Sequence, residues 1–271
     1  MGRTAGILSI QLKPVLTDKA ANIEKVKNLI EQFCDKTLDL VVIPEFFSTG
    51  VDHKSMTGEP EDTNGGETIE TLSCLAKRFN TNIVCGSVIE KDGDKLYNTT
   101  FVLDRSGKIV AKYRKIHLYR FFGGTEDTYI TPGEAEVVVE LDFARIGLST
   151  CFDIKYPMHF KKLIKMGAEI IVAPAAWCNL NSASEQDKAN FALTWRSMNI
   201  CRAAESLVYF VSSDQTGKID NFLYAAGNSM IVSPFGVVEA DAGTDESAIH
   251  SEINLETVRE LKATVPVYNI D

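Results

Sequence analysis

Three residues of this 271-residue chain carry side chains that together suit acyl transfer: Glu45, Lys115 and Cys151. A thiol is a nucleophile, a carboxylate takes and returns protons, and an ammonium stabilises an oxyanion. That combination hydrolyses an amide by way of a thioester. Taken singly, each residue has an ordinary explanation. A cysteine beside an apolar strand is more often core packing, and glutamates and lysines are more often solvated. What unites the three is position. The apolar run 146–150 stops abruptly at Cys151, Asp153 and Pro157 follow, and a helical pattern begins near His159. Glu45 follows the continuous apolar run Leu40-Val41-Val42-Ile43 and Pro44, with Phe46 and Phe47 beside it. Lys115 lies among Tyr113, Ile116 and Leu118 at the end of a third strand-like segment. Strand ends on one side of a sheet converge on one cleft, so each residue is expected at the same opening.

The elements that must position them alternate along the chain. Residues 5–11 read as a strand, and 22–34 as a helix with Ile23, Val26, Leu29, Ile30 and Phe33 on one face. The run 39–44 has the continuous apolar character of a strand buried on both sides. A second helix is expected over 67–79, then strands over 82–90 and 95–104 joined by the turn Lys91-Asp92-Gly93-Asp94. A strand leads to Arg114 after the turn 105–108. A long loop follows, then strands at 135–141 and 144–150, a helix at 158–166 closed by Gly167, and a buried strand at 169–174. A long helix is expected over 186–205, strands at 207–212 and 228–233, further strands near Val237 and Ala248, and a last helix at 255–263. No linker, repeat or low-complexity stretch divides residues 1–271, which read as one mixed α/β domain with antiparallel hairpins.

Composition narrows the partners. The net charge is −9, with 45% hydrophobic and 24% charged residues. An acidic chain is a poor match for nucleic acid, despite the local basic cluster 112–117. No apolar run approaches the ~20 residues of a membrane helix. The cysteines at 34, 74, 85, 151, 178 and 201 form no CxxC pair and no zinc pattern. With the N-terminus running straight into a strand, reduced thiols and a cytoplasmic location are expected.

The motifs resemble those of the nitrilase, or carbon–nitrogen hydrolase, superfamily over nearly the whole chain. They are Val41-Val-Ile-Pro-Glu45, Tyr113-Arg-Lys-Ile-His-Leu118, Thr131-Pro-Gly133, Cys151-Phe-Asp-Ile-Lys-Tyr-Pro157, Pro174-Ala-Ala-Trp177, Gly227-Asn-Ser229 and Ser233-Pro-Phe-Gly236. The resemblance implies a four-layer αββα sandwich that pairs through its helical layers into a homodimer. It implies Glu45 as general base, Lys115 as stabiliser of the oxyanion and Cys151 as nucleophile. It also implies a second glutamate between the lysine segment and the Pro-Gly turn. Glu126, adjacent to Asp127, is the candidate, with the task of orienting Lys115 and the substrate amide. Two positions depart from the family pattern: Lys155 stands where arginine is frequent, and Met158 where an acid is frequent. The first keeps the charge but loses the planar fork of arginine.

On this reading, Lys115 favours the Cys151 thiolate, Glu45 accepts the thiol proton, and the oxyanion is held by Lys115 and the Phe152 backbone N–H. No metal or organic cofactor is required. Trp177 is expected to overhang the cleft, and Tyr119, Phe121, Phe122 and Tyr129 to form a lid or wall, with packing or dimer contact as the competing role for each. The substrate expected is a small carboxamide or ω-amide. A nitrile or an N-carbamoyl compound would use the same residues. A non-catalytic binding protein on the same fold, or a glutaminase-like subunit feeding a synthetase, are further alternatives; the chain has no Gly-rich phosphate loop of its own.

Overall fold

A computed structural model describes residues 4–51, 58–62, 66–120 and 125–265. Phe121, Phe122 and the tail 267–271 lie outside the described residues. Two six-stranded sheets form the centre. The first contains β1 (Thr4–Gln11), β2 (Leu40–Val42), β3 (Asn82–Asp92), β4 (Lys95–Leu103), β5 (Ile109–Arg114) and β15 (Ser247–Asn254), in the order β15-β1-β2-β3-β4-β5. The second contains β6 (Val137–Glu140), β7 (Arg145–Leu148), β8 (Ile170–Ala175), β10 (Tyr209–Asp214), β13 (Met230–Val232) and β14 (Val238–Asp241), in the order β14-β13-β10-β8-β7-β6. A small third sheet joins β9 (Cys178–Leu180), β11 (Thr216–Lys218) and β12 (Leu223–Ala226).

Side-chain alternation explains the layering. Strands place successive residues on opposite faces. In the first sheet Ala5, Ile7, Leu40, Val42, Val84 and Val102 face the second sheet. Their neighbours Leu8, Ile10, Val41, Ile43, Ile83, Phe101 and Leu103 face the helices α1 (Lys19–Glu31) and α2 (Gly66–Phe79). The second sheet is covered on its far side by α4 (Pro157–Lys165) and α5 (Glu185–Ser206), through Phe160, Leu163, Trp195 and Ala203. The result is the expected helix–sheet–sheet–helix order. Polar stitches cross the middle: Ser9 Oγ donates to Ser212 O at 2.7 Å, and Ser213 Oγ to Ile10 O at 2.5 Å.

The helices have readable ends. Asp18 caps α1 by accepting the Ala21 N–H at 2.9 Å, so this helix starts earlier than the apolar pattern alone suggests. Glu67 in the first turn of α2, and Lys77 and Arg78 in its last, complement the helix dipole. Pro157 opens α4, where its missing N–H costs nothing. The structure adds a one-turn α3 (Glu126–Tyr129) inside the expected long loop, and the expected last helix is α6 (Leu255–Thr264). The expected turn between β7 and α4 takes the form of a 3-10 turn (Cys151–Lys155).

Candidate active site

The three strand ends read from the sequence do meet. Glu45 leaves the end of β2 through a bulge in its neighbour. The register of β3 shifts between Cys85 and Val88, and the Phe46 N–H donates to Ser87 O at 2.9 Å. Bulges of this kind re-aim side chains beside active sites. Gly86 is required there, because a Cβ would sit 1.8 Å from Pro44 O. The Glu45 side chain is buried, at 1% exposure.

Lys115 follows β5 and is 2% exposed. Its backbone is clamped on both sides: its N–H donates to Asn98 O at 2.8 Å, and its carbonyl accepts the Gly133 N–H at 2.8 Å. The Pro132-Gly133 turn therefore fixes the lysine. A Cβ on Gly133 would come within 2.0 Å of Arg114 O.

Cys151 sits at a strained elbow. Its φ is +47°, in the left-handed region that residues with a Cβ seldom adopt. The turn persists because Asp153 over-determines it. Oδ2 of Asp153 accepts the Thr150 N–H at 2.8 Å and the Tyr113 hydroxyl at 2.6 Å. Oδ1 accepts the His117 N–H at 3.1 Å and faces His117 Nδ1 at 2.7 Å. Asp153 thus ties the cysteine elbow to the segment that carries Lys115.

At the centre, Lys115 Nζ donates to Glu45 Oε1 at 2.9 Å and to Glu126 Oε2 at 2.9 Å. The Asn98 side-chain amide donates to Glu45 Oε1 and to Glu126 Oε1, both at 2.8 Å. Glu126 is held in turn by the Tyr119 N–H on Oε2 at 2.7 Å. Glu45 Oε2 accepts the Ala176 N–H at 2.9 Å. The Glu45 and Lys115 charges both act on the Cys151 thiol, in opposite directions.

The electrostatics follow from burial against partners. Burial alone would lower the Lys115 ammonium, but the charges of Glu126 and Glu45 outweigh it and hold lysine well above its ordinary value. Burial pushes the Cys151 thiol well up, and Glu45 adds to this; Lys115 and the Ala176 N–H pull the other way and lose. Lys115 favours the thiolate, as expected from the sequence, but burial and Glu45 outweigh it. Cys151 rests as a neutral thiol, so it needs a base at the moment of attack.

The aromatic residues divide. Tyr119 packs edge-on to Phe152, with centroids 5.2 Å apart. The Tyr119 phenol is raised by burial first, with the Cys151 and Cys178 sulfurs adding to it. Trp177 does not overhang an open cleft. Its indole is 6% exposed and stacks between Phe191 and Trp195 at 5.1 Å from each. Tyr129 is exposed on α3.

Residues 7–263 match the family profile described as carbon-nitrogen hydrolase. The chain belongs to the carbon–nitrogen hydrolase family. It is 30% identical over 248 residues to a 2-oxoglutaramate amidase of Bacillus subtilis, covering 92% of this chain and 90% of the relative. It is 30% identical to an omega-amidase NIT2 of Xenopus tropicalis, covering 92% of this chain and 88% of the other. The crystal structure of Saccharomyces cerevisiae Nit3, described as a nitrilase superfamily member, superposes with a TM-score of 0.86 at 25% identity, covering 98% of this chain and 95% of that one. The protein is a cysteine-dependent hydrolase of amidase type.

Two groups in this hydrolase's site escape sequence reasoning. Asn98 lies mid-strand in β4, and nothing in its neighbours marks it. Asp153 was visible two residues beyond the cysteine, but its partners Tyr113 and His117 come from a distant segment. The motif Tyr113-x-x-x-His117 with Asp153 was the available signal.

Proposed function

We propose that this carbon–nitrogen hydrolase cleaves the side-chain amide of a small dicarboxylic acid ω-amide, of the kind named in 2-oxoglutaramate amidase, giving acid and ammonia. The observation that carries the reading is the cluster in which Lys115 bridges Glu45 and Glu126 while the charges of Glu45 and Lys115 both act on the buried Cys151 thiol. The names of the amidase relatives supply the substrate class.

Cys151 Sγ attacks the amide carbon as its proton passes to Glu45 Oε2. The carbonyl π pair moves to oxygen, and Lys115 with the Phe152 N–H stabilises the oxyanion. Glu45 then gives its proton to the nitrogen, the C–N bond breaks, and ammonia leaves a thioester on Cys151. Water attacks the thioester as Glu45 takes one of its protons. The C–S bond breaks, the acid departs, and the thiolate recovers the proton from Glu45. Glu126 holds Lys115 on its far side, so the ammonium stays directed at the reacting oxygen. Tyr119 and Phe152 line the pocket, with Trp177 supporting its wall from the stack behind. None of these steps calls for a metal or organic cofactor.

The protein acts in a reducing cytoplasm, in keeping with six free cysteines. It works as a homodimer joined through the layer of α4 and α5, where Met158, Leu193 and Phe235 stand exposed at 62%, 61% and 65%. The test of the activity is ammonia release from 2-oxoglutaramate and glutaramate, beside a nitrile and an N-carbamoyl amino acid. Release from the ω-amides, lost in Cys151→Ala, is the expected result. Release from the nitrile or carbamoyl compound alone would overturn the substrate class.

A further inference from the structure

Asp214 is a buried acid beside the site that the proposed chemistry does not use. It ends β10 with no exposed surface. Its Oδ1 accepts the Trp177 N–H at 2.8 Å, and its own N–H donates to Ser229 Oγ at 2.8 Å. Oδ2 has no hydrogen-bond partner among the described residues. The buried cation of this region, Lys115, is already held by Glu45 and Glu126. The titratable groups around Asp214 are Glu45 from the segment after β2, Cys151 from the elbow and Cys178 from β9. None of these is a cation. A carboxylate here would be desolvated and beside another carboxylate, which favours the protonated form. Burial first, and Glu45 in addition, raise the Asp214 carboxyl well above its ordinary value.

The geometry gives this acid a task. Ala175 at the end of β8 is paired in register with Asp214, and its carbonyl accepts the Gln215 N–H at 3.2 Å. The next N–H, of Ala176, goes to Glu45 Oε2. The N–H after that, of Trp177, goes to Asp214. Two consecutive peptide groups are therefore oriented together, one toward the proposed proton acceptor, the other by Asp214.

We propose that Asp214 is a positioning residue that works as a neutral carboxylic acid: it clamps the Trp177 N–H and so aims the Ala176 N–H at Glu45, the proposed base for Cys151, without placing a further negative charge beside the nucleophile. The activity readout of this proposal rests on the amidase reading; the stability readout does not.

Asp214→Asn keeps an oxygen for the Trp177 N–H and the shape of the protonated acid, but cannot ionise. A carboxyl raised in the folded state contributes stability that is fully present below its unfolded value, about 4, and is lost as pH rises toward the folded value. Wild type therefore carries a protonation cost at neutral pH that the Asn variant lacks. The expected result is a Tm difference that grows in favour of Asp214→Asn between roughly pH 4 and pH 7. A difference independent of pH, or growing in favour of wild type, would overturn the neutral acid. Should Asp214→Asn fail to fold, infrared spectra of wild type labelled with carboxyl-13C aspartate decide instead. A label-shifted carboxylic-acid band at neutral pH supports the proposal, and its absence refutes it.

The positioning role is read at Cys151 by mass spectrometry of its iodoacetamide adduct, and by ammonia release. Asp214→Ala should slow both by about tenfold or more, the loss expected when a buried hydrogen bond is removed, and Asp214→Asn should restore most of that loss. An Ala variant as fast as wild type, or an Asn variant as slow as Ala, would refute the role. If wild-type Cys151 is itself inert and no amide is turned over, the amidase reading fails, while the Tm comparison still judges Asp214.

Discussion

Lys115 is the residue on which the electrostatics of the site turn. It is a buried ammonium with carboxylates on two sides, so its removal leaves Glu45 and Glu126 facing each other in a desolvated space. Lys115→Ala should lower kcat by at least about 100-fold, as losing an oxyanion donor does elsewhere; a twofold loss would make the lysine purely structural. Asn98 is the neutral counterpart, donating to both carboxylates from one amide. Asn98→Asp would place a further acid between them, and steady-state kinetics should show a deeper loss than for Asn98→Ala. At this scale the sequence was legible where a residue ends a strand, as with Glu45, Lys115 and Cys151. It was silent where a residue such as Asn98 acts across a sheet, because its partners lie 53 and 28 positions away. Glu126 was found by family resemblance, since a carboxylate on a loop carries no local mark of burial.

The cysteine elbow is the element whose stability matters most. Asp153 is fully buried. Burial alone would raise its carboxyl, but hydrogen bonds from His117 and Tyr113, with the charges of His159 and Lys115, hold it below the ordinary aspartate value. A lowered carboxyl contributes stability that is present above its unfolded value, about 4, and is lost as pH falls through the folded value. Asp153→Asn should therefore lower Tm at neutral pH, by a margin that shrinks as the pH is taken toward about 3. A margin that stays constant would show that Asp153 contributes through shape alone. The variant should also slow Cys151, because the +47° φ at the nucleophile depends on this tie. A turn between strand and helix was legible here, but not its 3-10 form: the run Cys151-Phe152-Asp153-Ile154-Lys155 has neither a strand nor a helix period, and the expected strand through Thr150 in fact stops at Leu148. The three-stranded sheet was missed for a related reason, since strands such as Cys178–Leu180 and Thr216–Lys218 are too short to show alternation.

For the whole molecule, the strand and helix patterns were enough to indicate a mixed α/β domain, and the family resemblance supplied the four-layer order. Which strands become neighbours was not legible. The antiparallel pairing of β1 with β15 joins Thr4 to Asn254 and Gln11 to Ser247, a closure across almost the whole chain that no local pattern announces. The exposed apolar residues of α4, α5 and the turn beside α5 have their consequence at this scale too. Sedimentation should give a dimer, and Met158→Asp combined with Leu193→Asp should shift it toward monomer with the fold intact; an unchanged sedimentation coefficient would place the contact elsewhere. Cys151→Ala should remain as stable and as dimeric as wild type while losing turnover, because Cys151 is a small buried side chain with no disulfide partner.

The most direct test of the account is intact-mass analysis of the protein mixed with 2-oxoglutaramate and quenched in acid during turnover, with released ammonia followed in parallel. The account predicts ammonia together with a mass increase equal to the acyl group, mapped to Cys151 and absent from Cys151→Ala. Ammonia release that persists in Cys151→Ala, or an acyl group mapped to another residue, would contradict it.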